Sequence, residues 1–333
     1  MVLSTVAFDI SSACICGTLI LTRCLYRLFF TCKVHPTCHR RWRVDDAYMA
    51  FAIIPLVART ATISTSFKLN PDQLTTPVTM EEAEMANMSV EDLTADRILS
   101  RQLLLPARIF YALFLWCLKL CLLSFYTRFV DPLEWGKKVI TTLRWVICLT
   151  FIAVIISTVT ECHPLQLAWK LTSAADRPQC SRALVNLLVM AVFNIITDVA
   201  LIILPFPMLR NVRLDRKSKI QLSFLFGVGF VVVVITILRI PLILINSVSQ
   251  QSRSLWASIE TLCACIVANT AFFYTLVKDL QGRHSHSKSS SNHVVGGNFY
   301  LQSLPSSSGY PDGSERPKTA DEGGSRRTLQ PIV

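Results

Sequence analysis

Arg59, Lys119, Glu161, Asp198, Arg239 and Glu260 lie inside, or at the ends of, long apolar stretches. A lone charge at the centre of a bilayer costs about 2.5–3.5 kcal/mol on insertion scales, so such residues pair, line a polar path or serve a site. Three kinds of chemistry are open to them. Opposite charges can bind as ion pairs between helices. Charges of both signs can line a ligand pocket. A carboxylic acid in an apolar cavity can protonate an alkene or an epoxide. Outside these stretches, Cys162 and Cys180 share one polar loop, which they either close as a disulfide or occupy as two thiols. The sole Asn-x-Ser/Thr sequon is Asn87-Met88-Ser89, an N-glycosylation acceptor if its loop faces the lumen.

Two further groupings carry less. Cys32, His35, Cys38 and His39 are metal-type ligands within one short stretch. Zinc sites prefer spaced Cys pairs and His pairs, and adjacent Cys38 and His39 turn poorly toward one ion, so a basic loop beside the membrane is the reading adopted and no metal is expected. Asp45-Asp46 resembles half of a magnesium–diphosphate motif, but no second half follows. It reads as a pair of interfacial carboxylates among Arg40, Arg41 and Arg43. No intramembrane His cluster and no recognisable Ser/His arrangement is present, and no cofactor is expected.

The elements that must hold these residues follow from composition. The 333-residue chain is 52% hydrophobic and only 17% charged, with a mean hydropathy of +0.45. Soluble domains carry about 25% charged residues. The apolar excess is gathered into blocks long enough for a helix to cross a roughly 30 Å hydrocarbon layer, which excludes a soluble enzyme and a disordered or fibrous chain. Continuous blocks of this length also exclude a transmembrane barrel, whose segments alternate in polarity. Seven spans are predicted, at about 6–30, 46–67, 107–129, 142–160, 183–204, 222–246 and 256–277. The fold class is therefore an all-α polytopic bundle over residues 1–280. Residues 281–333, rich in Ser, Gly and Pro, are predicted to be a disordered tail.

The net charge of +11 belongs with basic cytoplasmic loops and anionic lipid, not with nucleic acid. Eighteen Lys and Arg fall on the side that receives the first, third and fifth loops and the tail, against seven on the other. The positive-inside rule then puts the N-terminus outside and the C-terminus in the cytoplasm. The sequon falls in an outside loop. With this orientation Lys119 lies about 18 Å and Asp198 about 22 Å below the outer surface, at 1.5 Å per residue. An interhelical ion pair between them is the sharpest expectation. The alternative is that Lys119 reaches the cytoplasmic interface along its own stem. Glu161, Arg239 and Glu260 come out at one height beneath the outer loops. They are expected to line an outward pocket, or else to form a structural ion-pair network.

The order of short motifs resembles the fungal rhodopsin-domain family of seven-transmembrane proteins. They are Trp42-Arg43-Val44-Asp45-Asp46, Lys119 with Phe125-Tyr126-Thr127-Arg128-Phe129, Cys162-His163-Pro164 with Trp169 and Cys180, Asn194 with Thr197, Asp198 and Leu204-Pro205-Phe206-Pro207, then Arg239, Trp256 and Glu260. The resemblance spans about residues 5–280. It implies a plasma-membrane or endomembrane protein and favours the Cys162–Cys180 disulfide. It also implies a receptor-like role, or association with secondary-metabolite biosynthetic genes. A retinal chromophore is not expected, since the seventh span has no Lys before Lys278. The leading reading is a receptor-like protein whose partners are the lipid bilayer, an unknown small-molecule ligand and a cytoplasmic signalling partner. The alternative is an integral membrane enzyme such as a seven-helix terpene cyclase, with Glu161, Asp198 or Glu260 as the acid.

Overall fold

A computed structural model describes residues 2–29, 44–130, 134–172, 184–204, 227, 229–230, 233–238 and 250–290. All regular structure among them is helical. In chain order it comprises α1 (Val2–Phe29), α2 (Val44–Leu69), α3 (Met80–Ala86), α4 (Val90–Val130), α5 (Glu134–Thr160), α6 (Leu184–Ile203) and α7 (Gln250–Ser290). Residues 233–238 are helical as well, and a 3-10 turn covers Leu165–Ala168. Residues 1–283 form one compact unit and 284–333 another.

Five of the described helices carry segments long and apolar enough to cross a bilayer: Ser4–Leu28, Val44–Leu69, Val90–Thr127, Gly136–Thr160 and Val185–Ile203. The predicted sixth span falls largely outside the described residues. The helices run past the predicted spans because backbone hydrogen bonding does not stop where hydrocarbon stops. α4 has 41 residues, about 60 Å at 1.5 Å per residue, twice the hydrocarbon thickness. Its first turns, together with α3, fill what the hydropathy pattern leaves as an acidic loop. Thr79 opens α3 with a reciprocal capping box to Glu82, Asn87 ends it in the left-handed region at φ 55°, and the Ser89 hydroxyl accepts from the Asp92 N–H at 3.0 Å to start α4. These side chains satisfy backbone groups that a helix end leaves orphaned.

The lipid-facing and core-facing sides separate cleanly. On α5 the exposed residues Trp145, Leu149, Ile152, Ile156 and Val159 recur at helical spacing, and on α6 so do Val185, Leu188, Val192, Ile196, Val199 and Ile203. Water would not tolerate such stripes, whereas acyl chains do. α4 is the axis. Tyr111, Phe114, Trp116, Leu118, Cys121, Leu123 and Tyr126 point to different sides of it and all are buried. α2, α5 and α6 pack around it. A helix apolar on every side belongs at a bundle centre, and that is where Lys119 is carried.

Candidate functional site

Among the described residues, three tiers of polar side chains cross the bundle interior. The central tier joins α4, α6, α7 and residues 233–238. The Lys119 ammonium, on α4, donates to Asp198 Oδ1 on α6 and to the Asn194 carbonyl at 3.1 Å. It lies 5.8 Å from the Trp116 ring centroid, in range for a cation–π contact. One turn along α6 from Asp198, the Asn194 amide donates to Glu260 Oε1 at 2.6 Å. Thr236 donates to the same oxygen at 3.1 Å, and the Tyr111 hydroxyl donates to Glu260 Oε2. Glu260 is 1% exposed. Two acceptors of this tier, Asp198 Oδ2 and Asn194 Oδ1, are buried without a hydrogen-bond partner among the described residues. Both residues line a cavity of ≈ 640 Å³, open mouth included, whose other walls are mostly apolar, among them Leu115, Leu122, Leu201 and Val267. An apolar cavity with a few convergent polar groups is the usual form of a small-molecule site.

The second tier lies nearer the end of the bundle that carries α3. Arg59 Nη1 bonds Asp9 Oδ1 of α1 at 2.7 Å, and Arg59 Nη2 donates to Ser258 Oγ of α7 at 3.1 Å. Ser258 in turn donates to Asp9 Oδ1. The Arg59 guanidinium stands 5.7 Å from the Tyr111 ring centroid, so Tyr111 touches the second tier with its face and the central one with its hydroxyl. The third tier is at the opposite end. Arg23 of α1 bonds Asp45 at 2.8 Å and Asp46 at 3.1 Å, and Arg27 reaches Asp46 at 3.5 Å. Arg23 also donates to the Ala268 carbonyl of α7 at 3.3 Å. Asp45 and Asp46 are both 2% exposed. Their described basic partners are thus Arg23 and Arg27, while Arg40, Arg41 and Arg43 lie outside the described residues. Asp45 and Asp46 start α2 on the side facing α1, where Arg23 and Arg27 are one helical turn apart. Residues 30–43, including Cys32, His35, Cys38 and His39, lie outside the described residues.

Glu260 and Glu161 line different cavities among the described residues. α7 begins at Gln250, six residues before the predicted span, so Glu260 stands about 15 Å into the helix and joins the central tier. Glu161 follows the last residue of α5, and its Oε1 accepts the backbone N–H of Asn186 at 3.1 Å. A carboxylate there satisfies a donor at the start of α6 and meets the positive end of its dipole. Burial pushes the Glu161 carboxyl above its ordinary value, while the Asn186 N–H and the Arg108 guanidinium pull the other way. Arg239 lies outside the described residues.

Glu161 lines a cavity of ≈ 480 Å³ with Arg101, Arg108, Thr158, Cys162 and Trp169. A neighbouring cavity of ≈ 530 Å³ shares Leu104 and Arg108 with it and extends to Arg59, Tyr111 and Arg253. The loop over these cavities is tied down by Arg101, which donates to the carbonyls of Ala168 at 3.0 Å and Lys170 at 3.2 Å. Cys162 is buried and does not belong to the free thiols, while Cys180 lies outside the described residues. Asn87 is exposed at the junction of α3 and α4. No group of metal-type ligands occurs among the described residues.

Sequence reasoning passed over Asp9, Arg23, Arg108, Tyr111 and Ser258. Asp9 and Arg23 were within reach, because both are charges in the first apolar block. Tyr111 and Ser258 give no such signal, since they are ordinary in a helix until their neighbours are known.

The family model for the fungal rhodopsin domain matches residues 30–279. No match is found among curated proteins or among solved structures.

Proposed function

The chain belongs to the fungal rhodopsin-domain family, and from that premise we propose that this integral membrane protein is a receptor-like seven-span bundle that takes a small-molecule ligand and presents its basic loops to a cytoplasmic partner. The observation that carries the reading is the central tier. Its ≈ 640 Å³ cavity holds two unpartnered acceptors beside an ion pair that bridges α4 and α6. A ligand bound there touches α4, α6 and α7 at once, so it can favour one arrangement of the three over another. Differential contact of this kind is what a conformational response requires. The N-terminus is placed outside and the C-terminus in the cytoplasm, on the strength of the basic-residue asymmetry. The Cys162–Cys180 disulfide and a glycan on Asn87 fit that orientation. The reading includes no retinal, because Lys119 is in α4 and is engaged by Asp198.

The cavity also favours one second reading. Two carboxylates, Asp198 and Glu260, adjoin apolar walls, the equipment of a membrane cyclase acting on an alkene or an epoxide. One experiment separates the two. Purified full chain in nanodiscs is screened for compounds that raise its melting temperature, and hits are retested on Ala264→Phe, which fills the cavity. The receptor reading expects hits that Ala264→Phe abolishes and that are recovered chemically unchanged. Recovery as a cyclised product would replace it with the enzyme. Hits indifferent to Ala264→Phe would remove the cavity from either account.

A further inference from the structure

Each buried arginine tier described above is matched by carboxylates: Arg23 and Arg27 by Asp45 and Asp46, Arg59 by Asp9. Arg97, in the α3 region, has Glu82 at 3.0 Å. Arg108 is different. It is on α4 at the α3 end of the bundle, where both the ≈ 530 Å³ and the ≈ 480 Å³ cavities reach its side chain. Among the described residues its guanidinium has no hydrogen-bond or ion-pair partner. Two charges act on it from a distance, the Glu161 carboxylate attracting and the Arg253 guanidinium repelling. Glu161 has spent one oxygen on the start of α6.

A guanidinium at the wall of two cavities has N–H donors to offer a ligand. The partner that matches them best is a planar or tetrahedral oxyanion, which accepts two parallel N–H bonds from the fork. The surroundings say what the anion is attached to. Arg253 lines the same cavity from α7, and Arg101 lines the adjoining one, so positive charge converges from two helices. The remaining walls of the larger cavity include Ile63, Leu104, Leu187, Met190 and Ala257.

We propose that Arg108, with Arg253 and Arg101 beside it, forms a binding site for an amphipathic organic anion: an oxyanion head on the arginines and a hydrocarbon body against Leu104, Leu187 and Met190. The site is distinct from the central cavity, and its floor is Tyr111, which carries the contact from Arg59 to Glu260. The proposal does not depend on signalling, since binding is read directly. The oxyanion can come from two sources, a free carboxylate such as a fatty acid or the phosphate of an anionic lipid.

The test uses full-length protein in nanodiscs of neutral phosphatidylcholine, with dodecanoate as the anionic probe and dodecanol as its uncharged counterpart. Dodecanoate raises the melting temperature and dodecanol does not. Arg108→Gln weakens dodecanoate about ten- to a hundredfold, the loss expected for charge-assisted hydrogen bonds, and Arg108→Lys, which keeps the charge but not the fork, falls between. In the absence of probe Arg108→Gln melts no lower than the parent, because among the described residues no hydrogen bond or ion pair is lost with the cation. Glu161→Gln tightens dodecanoate, because it removes the competing carboxylate while its amide oxygen still accepts the Asn186 N–H. Nanodiscs containing phosphatidylglycerol identify the source. If they stabilise the parent, fail to stabilise Arg108→Gln and abolish the dodecanoate response, a lipid headgroup is the occupant. If dodecanoate acts equally in both discs, it is a free organic anion. Equal shifts from dodecanoate and dodecanol, or an affinity that Arg108→Gln leaves unchanged, would overturn the proposal. Should Arg108→Gln not yield folded protein, Arg253→Gln with the same two probes decides, with a weakened dodecanoate response expected and an unchanged one contrary.

Discussion

Replacing Lys119 by Met tests the central tier most directly. The substitution keeps the unbranched stem and removes only the ammonium. In the parent that ammonium is 6% exposed and holds Asp198 Oδ1 and the Asn194 carbonyl, while Asp198 Oδ2 already has no partner. The variant therefore leaves a carboxylate at this depth with neither oxygen matched. Breaking a buried pair from one side costs about 3–5 kcal/mol. At about 2 °C per kcal/mol for a body of this size, the melting temperature should fall by about 6–10 °C. Asp198→Leu strands the cation instead and should cost a similar amount. The double variant removes both charges and fills the space with apolar atoms, so it should recover most of either loss. The assay is thermal unfolding of purified protein in detergent, together with the monodisperse fraction on size exclusion. An interaction term of at least about 2 kcal/mol is expected from such a cycle, within the range for residues in direct contact. Additive losses would refute the reasoning. Lys119 would then be solvated along its own stem toward the interface, and Asp198 would stand as an unpaired acid beside an apolar cavity, which suits the enzyme reading.

Three other outcomes are expected. Cys162→Ala and Cys180→Ala should lower surface expression to the same degree, with the double variant no worse than either, and mass spectrometry of the native protein finding both thiols free would end the pairing. Asn87→Gln should speed electrophoretic migration of protein from a glycosylating host, and a glycosylation tag at Val333 that becomes modified would contradict the orientation. For Glu161, the folded carboxyl sits above its ordinary value because of burial, so the native state holds a proton that the unfolded state has released. Stability should then decline as pH rises from about 4.3, the unperturbed value, through the raised one. Glu161→Gln should flatten that decline, and an unchanged slope in unfolding midpoint against pH would remove the burial account.

The sequence by itself determined the helical class, the bilayer as solvent and the family. Each follows from quantities that sum along the chain: uninterrupted apolar length, the share of charge and the order of short motifs. Depth is also additive, at 1.5 Å per residue, and this is why Lys119 and Asp198 were legible as neighbours in height, and why the structure can bring them into contact. Azimuth is not additive. Whether two residues at one level face each other depends on how each helix is rotated and where it starts, and both are set by packing around α4. Glu260 illustrates it. Five hydrophilic residues, Gln250 to Ser254, open α7 ahead of its apolar run, so a count from the apolar edge places Glu260 too near the surface, beside Glu161. Asp45 and Asp46 illustrate it again, since chain neighbours suggested one set of arginines and helix packing supplied Arg23 and Arg27. Only the tertiary structure could decide these partners, along with the place of Tyr111 between two tiers and of Arg108 between two cavities. Partnership between buried charges is a property of the rotation of one helix against another, which no single span carries in its own residues.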